Sequence, residues 1–358
     1  MPVQISSRVP ALRNVATRLR IDSVRATSEA GSGHPSSSCS AADLVAALFF
    51  SEMRYDPRDP TNPDNDRFVL SKGHAAPILY AAWAEAGIIS RDDILNLRKL
   101  DSDLEGHPTP RLPWVDVATG SLGQGICAAV GIAVNARRIG SEYRTYALLG
   151  DAETAEGSVW EAAHVAAHHA LDNLCGITDV NALGQAGPTQ WEHDMDAYAV
   201  RWRAFGWHPI VVDGHDVPAI LNALEEARRT KGRPTMILAR TIKGKGISFI
   251  EGKPGWHGKP LKKGEEMQRA IDELEKQFVA EEEPAPPPEA PRAKSRAASQ
   301  PAKPDAPAYK LGDSVATREA YGDAIAKLGA KDSRVMALDA DVKNSTFSDK
   351  FEQRVGPE

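Results

Sequence analysis

The sequence has 358 residues, of which 42% are hydrophobic, so it is long enough for one large domain and part of another. Its formal net charge of −6 argues against a nucleic-acid-binding surface, and no nucleic-acid partner is expected. No apolar run approaches the roughly eighteen residues of a membrane span, so no membrane association is expected.

Short apolar runs separated by helical stretches indicate an α/β protein with a doubly wound parallel sheet and helices on both faces. In chain order the sequence first predicts a helix beginning near Ala11 and a helix from Ala41 to Phe50, which Ser40 and Asp43 could cap. A strand from Tyr146 to Leu149 follows, and then a helix from Ser158 to Ala170 with Ser158 and Glu161 in capping-box spacing. Further strands are predicted at Leu174 to Val180, Ile210 to Val212 and Met236 to Ala239.

The composition changes abruptly between Glu281 and Ala308, where Pro, Ala, Lys and Ser dominate. Such a segment cannot build a core and is typical of an extended linker. After Tyr309 the sequence predicts a helix from Arg318 to Leu328 and a strand from Val335 to Leu338. The expected organisation is a domain over residues 1–280, a linker over 281–308, and the truncated start of a second α/β domain over 309–358.

Polar side chains follow the first two predicted strands of the parallel sheet. Asp151 comes directly after the first strand and Asn181 directly after the second, so strand–helix–strand connectivity brings them together at the carboxyl edge. A carboxylate and an amide oxygen suit a hard divalent ion such as Mg²⁺, completed by phosphate oxygens. The alternative for such a pair is a capped turn beside a polar strand end.

Four histidines, His34, His74, His107 and His257, lie in Gly- or Pro-flanked loops rather than on apolar helix faces. This setting favours acid/base and hydrogen-bonding roles at neutral pH. The other histidines receive a structural interpretation, with the first two at the predicted C-terminal end of a helix: His168, His169, His164, His193, His208 and His215.

A glycine-rich segment runs from Gly120 to Gly125 but has the wrong spacing for a dinucleotide fingerprint and no convincing strand before it. Lys243 follows a predicted strand in a second glycine-rich loop. Its position suits either closure of a site or a solvated loop charge, and the residues alone leave both readings open.

These motifs together resemble the transketolase family, which depends on thiamine diphosphate. The residues within the motifs most resemble those of animal-type transketolases. The resemblance runs almost without gaps from about Leu12 to Phe351. Its blocks are Gly31-Ser32-Gly33-His34-Pro35, Asp66 to Ala75, Gly106-His107-Pro108, Thr119 to Gly125, Gly150-Asp151-Ala152-Glu153, Asn181 to Gln185, Thr241 to Gly246, Trp256 to Pro260 and Lys343 to Ser348.

The resemblance implies the transfer of a two-carbon ketol unit from a ketose phosphate, such as xylulose 5-phosphate, to an aldose phosphate, such as ribose 5-phosphate, in the pentose phosphate pathway. It implies thiamine diphosphate and Mg²⁺ (or Ca²⁺ or Mn²⁺) as cofactors. Phosphorylated sugars would be the ligands. The expected assembly is a homodimer, or a heteromer with a C-terminal transketolase subunit, because the family forms its site between two chains.

The resemblance also assigns roles to individual residues. Catalytic roles fall to His107, His257 and His34, and substrate binding to His34, His74, His257, Arg318 and Ser345. Cofactor binding falls to His74, Gly120, Leu122, Asp151, Ala152, Asn181, Lys243, His257 and Asp341, and metal binding to Asp151, Asn181 and Leu183.

Two departures from the family pattern bear on these roles. Ala152 stands where the family usually has glycine, and a methyl group there crowds the diphosphate or strains the turn if its φ is positive. The family's glutamate that protonates the aminopyrimidine ring is expected beyond residue 358. The 358 residues by themselves are therefore expected to show no transketolase turnover. The sequence is interpreted as a fragment, a truncated product or one subunit of a split enzyme.

Two other functions fit part of the pattern. The first is another enzyme of the superfamily, such as dihydroxyacetone synthase or deoxyxylulose-phosphate synthase. The second is a non-catalytic module that binds a cofactor or a partner. Cys39, Cys127 and Cys175 are an odd number of cysteines without metal-ligand spacing, so we expect reduced thiols. Because the sequence also shows no N-terminal signal segment, a cytoplasmic location is expected.

Overall fold

The computed structural model describes residues 2–280, 288–294, 303 and 305–356, and the side chains from residue 8 onward. The chain divides into two compact units, Met1–Ala293 and Lys294–Glu358. Residues 281–287, 295–302 and 304 of the predicted linker lie outside the described residues. No helix in the described part of the chain is long and apolar enough to cross a bilayer.

The first unit contains a five-stranded sheet in the order β1-β2-β3-β5-β4, and every neighbouring pair is parallel. Its strands are β1 (Arg67–Leu70), β2 (Thr145–Gly150), β3 (Leu174–Val180), β4 (His208–Asp213) and β5 (Thr235–Arg240). The four strands predicted in this unit are confirmed to within two residues at each end, and β1 is an additional strand that the apolar pattern did not predict.

The described residues of the first unit form eight α-helices: α1 (Pro2–Ala30), α2 (Pro35–Ala47), α3 (Ala76–Glu85), α4 (Gln124–Arg138), α5 (Gly157–His168), α6 (Met195–Ala204), α7 (Val217–Arg229) and α8 (Glu265–Glu275). Alternate residues of the strands enter two separate cores. Leu148, Ile177 and Ile237 pack with α1, α2, α3 and α7. Leu149 and Leu238 pack with α4, α5 and α6 on the opposite face. The predicted doubly wound architecture is confirmed.

The predicted helix starts differ from the structure. α1 begins well before Ala11 and continues through Pro10. α2 begins at Pro35, a residue whose fixed φ suits the first helical position, and it ends at Ala47 before a π-helical turn, Leu48–Glu52. Ser40 and Asp43 therefore lie inside α2, and the prediction that they cap it is wrong.

The capping box predicted at Ser158 is also wrong, because α5 begins one residue earlier with Glu156 as its N-cap and no side-chain cap hydrogen bond. Ser158 is a helical residue there. The C-terminal end was placed correctly, since His168 is the last residue of α5 and His169 is its C-cap.

The second unit contains α9 (Thr317–Gly329), α10 (Lys343–Thr346) and α11 (Asp349–Val355). α9 confirms the predicted helix. The strand predicted from Val335 to Leu338 is wrong, because these residues have no strand hydrogen bonds. A strand needs a paired neighbour, and the described residues of this unit provide none.

Candidate functional site

The carboxyl ends of β2 and β3 form the centre of the candidate site. Gly150 is paired with Asp179 in the parallel register, so Asp151 and Asn181 follow side by side at one edge of the sheet. Both residues are buried, at 4% and 6% exposure. The structure therefore brings together the two polar residues that the sequence placed at this edge.

Backbone donors orient the Asp151 carboxylate. Oδ1 accepts from Ala152 N at 2.9 Å, and Oδ2 accepts from Ala182 N at 2.7 Å and Thr189 Oγ1 at 3.2 Å. Ala182 reaches this position with a φ of +68°, which costs a non-glycine residue roughly 1–2 kcal/mol. A strained backbone that points an N–H at a carboxylate is typical of a functional site.

Burial, followed by the nearby Asp179 charge, raises the pKa of Asp151. Within the described residues Asp151 has no ion-pair partner within 4.0 Å, so its charge lacks a direct counter-ion. A divalent cation at this edge would supply that counter-charge.

Two further oxygens complete the donor set for a cation. Asn181 Oδ1 accepts from Leu183 N at 3.2 Å, and the carbonyl oxygen of Leu183 accepts from Lys243 Nζ at 2.5 Å. Leucine can ligate a metal only through that carbonyl. No group of three or more His, Cys, Asp or Glu side chains in the described residues is arranged to hold a metal. One carboxylate, one amide and one carbonyl fit Mg²⁺ only when phosphate oxygens and water fill the remaining positions.

A buried ion pair lies beneath this edge, and sequence reasoning missed it. Lys72 Nζ contacts Asp179 Oδ2 and donates to Ser37 O at 2.9 Å. Ser40 Oγ donates to the same carboxylate at 2.6 Å, and Thr241 Oγ1 also donates to it. Burial alone would raise the pKa of Asp179, but the Lys72 ammonium and these hydrogen bonds lower it.

Three imidazoles from separate loops form a cluster beside Lys243. The ring centroids of His34 and His74 are 4.9 Å apart, those of His34 and His257 are 5.0 Å apart, and those of His74 and His257 are 5.2 Å apart. Lys243 Nζ lies 2.8 Å from His257 Nδ1. The cluster therefore unites three of the four loop histidines that the sequence singled out.

The cluster stays neutral at physiological pH. Burial is the largest cause for each ring. Burial and the charges of His107 and Lys243 lower the pKa of His34 to about 4. Burial and the Lys243 charge lower the pKa of His257 to about 3. The pKa of His74 is also lowered by burial and by Lys72. Burial and the Lys72 charge lower the pKa of Lys243 itself to about 8. A cation and uncharged imidazoles thus share one pocket.

His107 packs directly on the backbone of Gly120. A Cβ at Gly120, whose φ is +140°, would lie 2.9 Å from His107 Cδ2. The Gly73 turn beside His74 also meets this segment, because a Cβ at Gly73 would lie 2.8 Å from Gly120 N. Leu122 follows at a partly exposed position. Gly120 is therefore the point where the His74 and His107 loops converge.

Glu153 ties these loops to the sheet, a role the sequence analysis did not assign. It is buried at 1% exposure, accepts from Gly123 N at 2.9 Å and Gly150 N at 3.1 Å, and accepts from Ser71 Oγ. Burial raises the pKa of its carboxyl group. In the sequence, the position of Glu153 in the Gly150–Glu153 motif was the feature that could have indicated this role.

Three buried side-chain polar atoms of the described segments around the site lack a hydrogen-bond partner: His34 Nδ1, Ser37 Oγ and Thr119 Oγ1. Buried polar groups without partners are rare in folded proteins and indicate a site for a ligand or water. Ser37 is a further residue that the sequence analysis missed; it lies in α2, which the sequence predicted to begin only at Ala41.

Ala152 does not strain the backbone. It begins the 3₁₀ turn Ala152–Ala155, it is absent from the residues with positive φ, and its side chain is exposed. Of the two possibilities left by the sequence, the structure supports a negative φ, at which alanine costs little.

The second unit brings Arg318 and Ser345 together. Arg318 Nη1 donates to Ser345 O at 3.3 Å, and its guanidinium carbon lies 5.5 Å from the Phe347 ring centroid. Asp341 is exposed in the same unit, just before α10. The described geometry of this unit therefore pairs two of its three candidate residues.

Comparisons with known proteins agree on one family. Residues 12–287 match the family described as "Transketolase, thiamine diphosphate binding domain". Human transketolase is 52% identical over 347 residues, which are 97% of this chain and 55% of that protein. Human transketolase-like protein 2 is 51% identical over 344 residues, or 96% of this chain and 55% of that protein. The chain thus spans about half the length of the curated relatives that it matches.

Solved structures give the same result. Transketolase from Campylobacter jejuni superposes with a TM-score of 0.69 at 33% identity, covering 75% of this chain and 43% of that chain. Transketolase from Pichia stipitis in complex with sedoheptulose 7-phosphate superposes with a TM-score of 0.79 at 26% identity, covering 95% of this chain and 57% of that chain.

Proposed function

The chain belongs to the transketolase family, and we propose that it binds thiamine diphosphate through a divalent ion held by Asp151, Asn181 and the Leu183 carbonyl. The observation that supports this most strongly is the buried carboxylate of Asp151 at a sheet edge, which has no ion-pair partner among the described residues, beside three neutral imidazoles and Lys243. Mg²⁺ is the proposed ion, and Ca²⁺ or Mn²⁺ offers the same oxygen preference.

The remaining cofactor contacts follow from the position of each residue. Lys243 carries the cation that faces the diphosphate, and it already contacts a carbonyl of the metal-binding turn. Gly120 allows close approach of a ligand to the backbone, since it has no side chain. Roles at the cofactor are proposed for one further set of residues: His74, Leu122, Ala152, His257 and Asp341.

We propose the transketolase reaction, in which a ketose phosphate donates a two-carbon ketol unit to an aldose phosphate. Thiamine diphosphate, when bound, supplies a carbon nucleophile and an electron sink for breaking the bond beside the donor carbonyl. His34, His107 and His257 are neutral and border one pocket, so each is able to accept or donate a proton at a sugar hydroxyl. His74 and His34 would also hold the sugar in place.

The second unit is proposed to bind the sugar phosphate. Arg318 offers a guanidinium group, the side chain best suited to a phosphate, and Ser345 lies beside it. We keep the boundaries 1–280, 281–308 and 309–358 as the proposed domain, linker and second-domain segment. The proposed assembly is a homodimer or a heteromer with a C-terminal transketolase subunit, in the pentose phosphate pathway. A cytoplasmic location is proposed from the free cysteines Cys39, Cys127 and Cys175.

Calorimetry tests the cofactor part of this proposal. Thiamine diphosphate is titrated into metal-free protein, and the titration is repeated with Mg²⁺. Tight binding only in the presence of the ion is the expected result, and metal-independent affinity would contradict the metal assignment. Turnover of xylulose 5-phosphate with ribose 5-phosphate is then assayed for the chain by itself and together with a candidate second subunit. Absence of turnover in both would contradict the proposed reaction.

A further inference from the structure

One peptide unit, between Thr241 and Ile242, is held at both of its polar atoms by histidine side chains. His193 Nε2 lies 2.9 Å from Thr241 O, and the N–H of Ile242 donates to His215 Nε2 at 2.9 Å. The two histidines come from different loops, one before α6 and the other before α7. The next residue is Lys243.

The contacts fix the tautomer of each imidazole. A carbonyl oxygen only accepts, so His193 must carry its proton on Nε2. The Ile242 N–H is a donor, so His215 Nε2 must be unprotonated, and the proton of its neutral ring lies on Nδ1. That nitrogen is 2.8 Å from Asp43 Oδ2, which is also paired with Arg20. A buried ion pair thus sets the orientation of His215.

The same segment has further attachments to the sheet. Thr241 N donates to Val180 O at 2.9 Å, and its hydroxyl donates to Asp179. Beyond the peptide, Lys243 reaches Leu183 O at 2.5 Å and His257 Nδ1 at 2.8 Å. Fixing the plane of the 241–242 peptide constrains the backbone that leads to Lys243. The Lys243 ammonium accordingly lies just beyond the carboxyl end of β3, at Leu183 O.

We infer that His193 and His215 are positioning residues that hold the Thr241–Ile242 peptide and thereby aim Lys243 at the cofactor diphosphate. This inference rests on the proposed function for its ligand. The hold on the peptide is itself independent of the ligand. The two histidines act through Lys243 and are not proposed to touch the cofactor.

Asparagine and glutamine variants separate the contacts of each ring. An asparagine amide reaches the Nδ1 position only, whereas a glutamine amide reaches the Nε2 position. His215→Asn keeps a donor for Asp43 and loses the acceptor for Ile242, and His215→Gln restores that acceptor. His193→Asn loses the donor to Thr241 O, and His193→Gln restores it. His208→Asn is the matched control, because His208 Nε2 contacts only the exposed Glu226 in the described structure.

Calorimetry, amide hydrogen exchange and thermal unfolding are measured on the full 358-residue protein. Calorimetry with thiamine diphosphate and Mg²⁺ should show a Kd raised about tenfold in both Asn variants, since each leaves a backbone polar atom unpaired. The Gln variants should return to within about threefold of the parent, and His208→Asn should match the parent. Amide hydrogen exchange without ligand should speed up at residues 241–244 in the Asn variants and not in the Gln variants.

The outcomes are distinguishable. Equal losses of affinity in the Asn and Gln variants, accompanied by equal losses of thermal stability, would assign both histidines to the fold alone and overturn the inference. Unchanged exchange and affinity in the Asn variants would also overturn it. A parent protein that fails to bind thiamine diphosphate contradicts the proposed function and the role of Lys243 toward its ligand. Hydrogen exchange then decides separately whether the histidines hold the peptide.

Discussion

Lys243 Nζ lies 2.8 Å from His257 Nδ1, so the ammonium donates and the imidazole accepts. The proton of neutral His257 must then be on Nε2, the nitrogen that faces away from Lys243. Burial and the Lys243 charge lower the pKa of His257 to about 3, so the ring stays neutral at pH 7. The pair thus offers a cation and an N–H donor at fixed positions, which suits a phosphate and an adjacent sugar oxygen.

Replacing His257 or His107 with alanine should impair chemistry more than folding. Both rings are only partly buried, so thermal stability should change by no more than about 1 kcal/mol. Turnover in an enzyme reconstituted with a second subunit should fall by about 10²–10⁴-fold if either ring moves a proton. His164→Ala, at an exposed position of α5, is the control. Full turnover, or an unfolded protein, would return both residues to a structural role.

Acid should destabilise the protein through His34. Its folded pKa is about 4 against an ordinary value of 6.5, because burial and nearby cations disfavour the charged ring. Between these values the unfolded chain binds a proton that the folded chain does not, so stability falls as pH drops from about 6.5 to about 4. This contribution is fully present above the unfolded value and falls no further below about 4.

Urea titrations of the parent and of His34→Asn at several pH values isolate this contribution. The difference in unfolding free energy between the two proteins should change across that window and flatten on either side. A difference that is independent of pH would show that His34 titrates normally in the folded state. Comparing the two proteins removes the contributions of titrating groups that do not interact with His34.

The edge of the sheet was predictable because its signal is local. Continuous apolar runs define β2 and β3, and each is followed at once by a polar residue, Asp151 or Asn181. Parallel connectivity then requires the two residues to meet. β1 is shorter, with four residues of which the first is the charged Arg67, so it gave no clear apolar run.

The long-range contacts were not predictable from the sequence. Lys72 and Asp179 are 107 residues apart, and nothing in either segment indicates the other. Glu153 binds Ser71 and Gly123 through a carboxylate that reads as an ordinary first-turn acid. Helix starts failed for a different reason, since Pro35 begins α2 ahead of the Ser40 signal.

Asp151→Asn should weaken metal-dependent cofactor binding by at least about tenfold, because it removes the one charged side chain among the three proposed protein ligands of the ion. The fold should tolerate the change, since burial and Asp179 already disfavour the charged carboxylate and an amide can still accept from Ala182 N. Calorimetry with thiamine diphosphate and Mg²⁺, beside thermal unfolding, checks both points. Equal affinity in parent and variant would remove Asp151 from the metal site.

The Lys72–Asp179 pair should behave as a buried unit. Both side chains are almost fully inaccessible to solvent, so Lys72→Met or Asp179→Asn leaves a buried charge without its counter-charge and should cost about 3–5 kcal/mol. The double variant should cost clearly less than the sum, because neither charge then remains buried alone. Denaturant titration of the four proteins gives the coupling energy, and strict additivity would contradict the ion pair.

Gly120→Ala should disturb the candidate site more than its backbone conformation alone explains. Gly120 has a φ of +140°, and an added Cβ would lie 2.9 Å from His107 Cδ2. Gly140 also has a positive φ, of +64°, but an added Cβ there meets no atom within 4 Å. Gly140→Ala therefore reports the cost of the backbone alone, about 1–2 kcal/mol of stability, with cofactor affinity unchanged.

In Gly120→Ala the methyl group must displace either His107 or the glycine-rich segment itself. We expect a loss of stability at least as large as in Gly140→Ala, because a φ of +140° lies outside the small left-handed well open to alanine. We also expect a Kd for thiamine diphosphate raised at least about tenfold, measured by calorimetry with Mg²⁺. The added His107→Ala substitution removes the ring that the methyl group meets, so it should restore part of the affinity. If the double variant binds as weakly as Gly120→Ala, the ring is not the obstacle. The loss then arises from Gly120 alone, whose backbone we propose to lie against the diphosphate.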